Sequence, residues 1–296
     1  MEQEYIVTDS IAESLAILAK YHGKARIIAG GTDLLLDLQA GKKDVDILVD
    51  INNIPSLKSS KYEAGYIVIG AGVTLSEVTS SPLLWRQATL LGEAAAAVGS
   101  PQIRNVATVV GNIINAQPAA DTAVALVALE AEIEVRDNHG NQYRRVADCY
   151  AGRGLSLIDS TRQIVTGVRF LPLKTGQGSA FVRFALRKSL ALPVINTAVI
   201  VTLDNEAKIS WARIVLAPAG PAPFQAKQAE SLLRNCLPSR ENLSQAAKIA
   251  AAEAPLRDSP LRGSRDYRRS LAEVLVEEAL AQAVRRAKEG IPSGCH

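Results

Sequence analysis

The sequence predicts an α+β chain in three units, and three observations carry that reading. Short apolar runs bounded by turn residues alternate with helical patterns over the first 55 residues or so. From Tyr66 the pattern changes to strands, helices and a hairpin, closing with a strand at Ile164 to Phe170. After a Gly- and Pro-bearing stretch at 172–179, two long β-rich runs are followed by three helical patterns, an order that argues for an α+β unit. The expected units are 1–55, 56–174 and 175–290, and no internal repeat links them.

Ser10-Ile11-Ala12-Glu13 has the spacing of a capping box, and Ile11, Leu15 and Leu18 follow at helical intervals. A first helix is therefore expected to run to about Lys20, with Gly23 closing it. Arg26-Ile27-Ile28 reads as a strand leading into Gly30-Gly31, Leu34-Leu35-Leu36-Asp37-Leu38 as a helix, and Asp46-Ile47-Leu48-Val49-Asp50 as a second strand. Two strands joined this way pair in parallel through a helical crossover. Ile67-Val68-Ile69 is the next strand, and Thr74-Leu75-Ser76-Glu77 is a second capping box. One helix is expected over 83–98, ended by Gly99 and Pro101, and another over 119–129. Glu132-Ile133-Glu134-Val135 and Tyr143-Arg144-Arg145-Val146 flank Asn138-His139-Gly140 as a hairpin. In the last unit, strands over 194–203 and 209–217 precede helices near 225–234, 241–253 and 268–288.

A chain of 296 residues is long enough for two domains or three small ones, and 48% hydrophobic with 21% charged residues reads as globular throughout. Its 33 basic and 30 acidic residues, net +3, are spread along the chain, so no nucleic-acid or membrane footprint is implied. No apolar run approaches the ~20 residues of a membrane span. Met1-Glu2-Gln3-Glu4-Tyr5 lacks the basic start of a signal peptide, so a cytoplasmic protein is expected. Cys149, Cys236 and Cys295 show no paired ligand spacing and are expected to be free thiols, with no metal held by this chain.

Two segments carry the chemistry. Ala29-Gly30-Gly31-Thr32-Asp33 offers small residues whose amides can approach a phosphate without a Cβ in the way. A Gly-Gly turn between strand and helix is common, and this one lacks the spaced glycines of Gly-x-Gly-x-x-Gly, so a Rossmann domain is not supported. The second segment, Asn105 to Asp121, sets Thr108, Asn112, Asn115 and Asp121 among Val109, Val110, Ile113, Ile114 and Pro118. That mixture suits an apolar pocket with a few oriented donors and acceptors, and equally a turn-rich stretch whose side chains cap backbone groups.

Taken together, Ala29-Gly30-Gly31-Thr32-Asp33-Leu34 and Pro101-Gln102-Ile103-Arg104-Asn105-Val106-Ala107-Thr108, continuing through Gly111-Asn112 to Asp121, look like two flavin-binding motifs. Residues 1 to about 288 resemble the FAD-binding (medium) subunit of the xanthine dehydrogenase and carbon monoxide dehydrogenase family of molybdenum hydroxylases. The resemblance implies a two-part FAD-binding domain of the vanillyl-alcohol-oxidase-like (PCMH) type, in 1–55 and 56–174, then a carbon monoxide dehydrogenase flavoprotein C-terminal-like domain. It implies that the amides of Ala29, Gly30, Gly31, Thr32, Asp33 and Leu34 hold the pyrophosphate. By the same token Thr108, Gly111 and Asn112 hold the phosphate and ribityl side, Asn115 and Asp121 bind ribityl or ribose hydroxyls, and Leu157, in Gly152-Arg153-Gly154-Leu155-Ser156-Leu157, touches the isoalloxazine ring. Val110 stands where many relatives have glycine, and Gln117 where a small polar residue is usual. Arg187-Lys188-Ser189-Leu190-Ala191-Leu192-Pro193 resembles a basic segment near the flavin edge, but reads more readily as a solvated turn before a strand and is left out of the expected site.

The family further implies a molybdenum-pterin large subunit and a small subunit with [2Fe-2S] clusters. Those clusters would pass electrons to this FAD and onward to NAD or another acceptor. Two other readings compete with that one: a free-standing flavoprotein oxidoreductase and a flavin-free assembly module. The first would need a base or covalent attachment near the ring, yet His22, His139 and His296 lie by a helix end, in a hairpin turn and at the terminus.

Overall fold

In the computed structural model, residues 3–187 and 189–290 are described; Lys188, Cys295 and His296, singled out above, lie outside them. The first strand, β1 (Glu4–Val7), is too short and too exposed to show in the sequence pattern. Helix α1 (Ile11–Lys20) begins where expected, because the Ser10 hydroxyl accepts from the Glu13 amide. The carboxylate of Glu13 reaches the Asp9 amide and not that of Ser10, so the box is half formed. Strand β2 (Ala25–Ile28), helix α2 (Leu34–Gln39) and strand β3 (Ile47–Asp50) complete a three-stranded parallel sheet of order β1-β3-β2. Every residue of the central strand β3 is buried, as a parallel strand covered on both faces must be.

The second sheet is antiparallel. Strands β4 (Ser60–Glu63) and β5 (Tyr66–Gly70) lead into α3 (Leu75–Ser80), which Thr74 starts with a complete capping box. The single helix expected over 83–98 is in fact two, α4 (Pro82–Gln87) and α5 (Thr89–Ala97), broken at Ala88 with φ −157° and ψ 51°. The break folds the Trp85 ring onto Gly92, where a Cβ would come within 3.1 Å of the indole. Pro101, read as a stop signal, instead starts α6 (Pro101–Arg104): Ser100 caps it, and proline at the first turn forfeits no helical hydrogen bond. Helices α7 (Val109–Ile114) and α8 (Asp121–Ala128) follow, so the second motif is largely helical and not an open loop. The hairpin of β6 (Glu132–Asp137) and β7 (Gly140–Arg145) is present in the expected place. After the small pair β8 (Tyr150–Gly152) and β9 (Leu155–Ser156), strand β10 (Ile164–Phe170) closes the sheet as β4-β5-β10-β6-β7.

The third sheet, β11 (Gln177–Phe184), β12 (Ile195–Leu203), β13 (Ile209–Ala217) and β14 (Phe224–Gln225), is antiparallel in that order. Its first strand begins inside the 172–179 stretch taken as a boundary. Gly178 was misleading there: a Cβ on it would lie 2.0 Å from the Ala283 carbonyl oxygen, so the glycine serves close packing and not a linker. Helices α9 (Lys227–Leu233), α10 (Arg240–Glu253) and α11 (Arg265–Glu289) cover one face of this sheet. From its other face Phe181, Ala198, Ile200, Val215 and Ala217 join the core of the second sheet.

An ion pair reinforces that shared core. Glu93 on α5 accepts from Arg286 of α11 at 2.5 Å and, through its other oxygen, from the Phe181 amide at 2.8 Å; Arg286 also donates to the Ser179 carbonyl at 2.6 Å. Both side chains are largely buried. Removing one partner leaves the other desolvated without compensation, so Arg286→Ala should lower unfolding free energy by about 2–4 kcal/mol in urea titrations.

Candidate functional site

Strand β2 delivers the chain to Ala29-Gly30-Gly31 at the edge of the first sheet. Gly31 takes φ +67°, a left-handed conformation that favours glycine, and its carbonyl accepts from Leu35 to start α2. Ala29 is held from behind, since its carbonyl accepts from the Asn52 side chain at 3.1 Å. Among the described residues no protein acceptor takes the amides of Gly30, Gly31, Thr32 or Asp33. Four adjacent free donors make an anion-binding cradle.

The second segment is laid against α3: the Leu75 amide donates to Ala107, and Val109 to Val73. Thr108 caps α7 by accepting from the Gly111 amide at 3.0 Å. Asn112 is oriented by the Thr122 hydroxyl, which donates to its side-chain oxygen at 2.6 Å and leaves the amide nitrogen for another partner.

The two segments meet at Gly30. A Cβ there would stand 2.0 Å from the Val106 carbonyl oxygen and 3.0 Å from the Ala107 Cα, so backbone packs directly on backbone. Between them opens a cleft of about 1010 Å³, continuous with solvent. Ala29, Gly30, Gly31, Thr32, Asp33 and Leu34 line one side of it, and Thr108, Val110, Gly111, Asn112 and Asn115 the other.

The cleft also holds residues that the motifs did not announce: Arg26, Lys43, Ser160 and Gln163. Arg26 is half-buried, which lowers its guanidinium pKa against the pull of Asp159 and Asp37. Lys43 pairs with Asp37 at 3.0 Å. A signal for Arg26 did exist, because a cation within an otherwise apolar parallel strand needs a reason to be there. Ser160 and Gln163 arrive through the fold alone.

Two expected site residues lie outside this cleft. Asp121 is 5% exposed, and one of its oxygens accepts from both Asn196 at 2.5 Å and Arg183 at 3.2 Å. Burial pushes its carboxyl up to about 6, against the opposing effects of Arg183 and Asn196. Its placement makes it a tie between α8 and the third sheet. Leu157, just beyond β9, is 52% exposed, with its amide on Cys149 and its carbonyl taking Arg144. Gln117 likewise misses the cleft and lies against Gly154. In the 187–193 segment, Ser189 donates to the Gly99 carbonyl between α5 and α6, and the Ala191 carbonyl takes Arg183 of the third sheet.

No group of three or more His, Cys, Asp or Glu side chains among the described residues is arranged to hold a metal ion. Cys149 is fully buried, and desolvation pushes its thiol up to about 11, which makes it unreactive near neutral pH. No helix among the described residues is long and apolar enough to cross a membrane.

Residues 1–173 match the family described as the FAD binding domain in molybdopterin dehydrogenase. The chain belongs to that family. Residues 180–283 match the CO dehydrogenase flavoprotein C-terminal domain, so the fold is an FAD-binding domain followed by that second domain. At 32% identity, over 96% of this chain and 95% of the relative, the sequence is similar to the 6-hydroxypseudooxynicotine dehydrogenase complex subunit alpha of Paenarthrobacter nicotinovorans. It is 28% identical to the xanthine dehydrogenase FAD-binding subunit of Escherichia coli O157:H7, with 94% of each chain covered. The solved carbon monoxide dehydrogenase of Hydrogenophaga pseudoflava superposes with a TM-score of 0.90 at 27% identity, over 97% of this chain and 98% of that one. The FAD-binding molybdopterin dehydrogenase family fixes the chemistry at the coarse level: this is an oxidoreductase subunit of the molybdenum hydroxylases, and its cofactor is FAD. The cleft fits that cofactor, with unpaired amides for a diphosphate and a glycine where the backbone admits no side chain.

Proposed function

We propose that this chain is the electron-transfer subunit of a heteromeric molybdenum hydroxylase, working with a molybdenum-pterin large subunit and a [2Fe-2S] small subunit. The contact of Gly30 with the Val106 carbonyl carries the reading, because it makes one cleft of two motifs far apart in sequence. In this assignment the amides of Ala29, Gly30, Gly31, Thr32, Asp33 and Leu34 hold the diphosphate, with Arg26 and Lys43 offsetting its charge. Thr108, Gly111, Asn112 and Asn115 hold the phosphate and ribityl side. Asp121 and Leu157 lie off this cleft; Asp121 positions α8 behind Asn112, through Thr122 beside it, and Leu157 belongs to the ring end. The corresponding domain division is 1–55, 56–174 and 175–290.

When bound, FAD takes up electrons singly and releases them as a pair, which joins one-electron clusters to an acceptor such as NAD. This chain's residues supply binding, orientation and charge. The relatives include a subunit of a dehydrogenase complex and an FAD-binding subunit, consistent with such a division of labour.

Purification of the native complex, with metal analysis and an NAD-reduction assay, tests the reading. Molybdenum, iron and FAD should co-elute with this chain. A flavin-loaded chain that elutes alone and oxidises an organic substrate by itself would overturn the proposal in favour of a free-standing flavoprotein.

A further inference from the structure

A second cavity, of about 560 Å³, lies between residues 117–119, the β8–β9 turn and the loops at 218–220 and 257–262 of the last unit. Four guanidinium-bearing residues line it: Arg153, Arg257, Arg262 and Arg268. Among the described residues none of the four has a carboxylate within 4.0 Å. Asp258 is the one acid in the lining, and its side chain is engaged by the Arg265 amide at 2.7 Å.

Arg268 is 3% exposed. Its two terminal nitrogens donate to the Arg257 and Pro218 carbonyls, and its Nε is buried without a partner. Arg262 donates its Nε to the Pro193 carbonyl. Two of the four side chains are thus fixed by the backbone around the cavity, while their charges stay unneutralised. Burial lowers the pKa of both Arg262 and Arg268, and so do neighbouring arginines, Arg153 and Arg257 for the first and Arg262 and Arg257 for the second, as expected of like charges gathered with no counter-charge. Desolvated cations are rarely assembled without a partner.

We propose that this cavity binds a small phosphoryl-bearing anion, with Arg262 and Arg268 as its fixed floor and Arg153 and Arg257 closing over it from the exposed side. Guanidinium forks match the oxygen spacing of phosphoryl groups, and several of them around one space favour more than one negative charge. The proposal does not rest on the flavin reading: the diphosphate cradle is formed by residues 29–34, none of which lines this cavity.

Isothermal titration of the full chain carrying FAD, at low ionic strength, with pyrophosphate, inorganic phosphate and citrate, provides the test. Pyrophosphate should bind with one site per chain and more tightly than phosphate. Arg257→Gln and Arg262→Gln should each weaken it at least tenfold, with the melting temperature of each variant confirming that it folds. Equal affinity in wild type and both variants, or no heat up to millimolar pyrophosphate, overturns the proposal. Citrate binding as tightly as pyrophosphate overturns the phosphoryl assignment. Binding seen only after FAD is stripped overturns it too, since the arginines would then answer to the flavin.

Discussion

Gly30→Ala is expected to yield a folded chain that purifies with little FAD. The added methyl would stand 2.0 Å from the Val106 carbonyl oxygen, a backbone atom that cannot rotate away. Relief requires the two motif segments to part, which widens the cleft at the residues that line both its sides. Overpacking of this kind costs about 1–3 kcal/mol. Drawn from binding, that cost weakens FAD roughly 5- to 150-fold. Gly31→Ala is the informative companion: it strains a left-handed residue, but its methyl meets only the flexible ends of Ile28 and Leu35 at 3.1 and 3.2 Å. Its flavin loss should be smaller. The ratio of flavin absorbance to protein absorbance after gel filtration reads both, and a Gly30→Ala chain with full flavin would dismiss the one-cleft assignment.

Asp121→Ala should be the most destabilising single change at the seam between α8 and the third sheet. It leaves Arg183, whose side chain is only 12% exposed, without its carboxylate, and takes away the acceptor of Asn196. Breaking a buried pair from one side costs about 3–5 kcal/mol, measurable as a lower urea midpoint. The same carboxyl gives the wild-type chain a pH signature. Its folded-state pKa, about 6, lies above the ordinary 3.8, so its contribution to stability is fully present below the unfolded value and is lost as pH rises through 6. The full swing is about 3 kcal/mol for about two pH units. Asp121→Asn keeps the shape without the titration, so its stability should change less than the wild type's between pH 4 and 7. Parallel slopes in the two proteins would remove Asp121 as the source.

The parts of this fold that could be read in the sequence are those whose cause is local. Thr74 and Glu77 announce α3 because both partners of the capping box lie within one turn, and β12 and β13 stand out as long runs rich in β-branched residues. The glycine pair and the Thr108 to Asn115 polar set, which the structure brings to one cleft, could be read together only as a pair. What stayed hidden depends on distant partners. Nothing near Gly178 shows that Ala283 will press on it, and nothing near Asp121 shows Arg183 and Asn196, 62 and 75 residues onward. Ala88 carries no breaker signal, and the break there goes with a contact of Trp85 on Gly92 that the local sequence does not announce. Pro101 is ambiguous by nature, because the same ring that cannot continue a helix is well suited to open one.

The abutment of Gly30 on the Val106 carbonyl also orders events during synthesis. Residues 29–34 leave the ribosome well before residues 105–115, and only half of the enclosure exists until the later stretch emerges and docks. A nascent chain ending before α7 therefore has one open wall, and the cleft is enclosed only once the second wall has been translated.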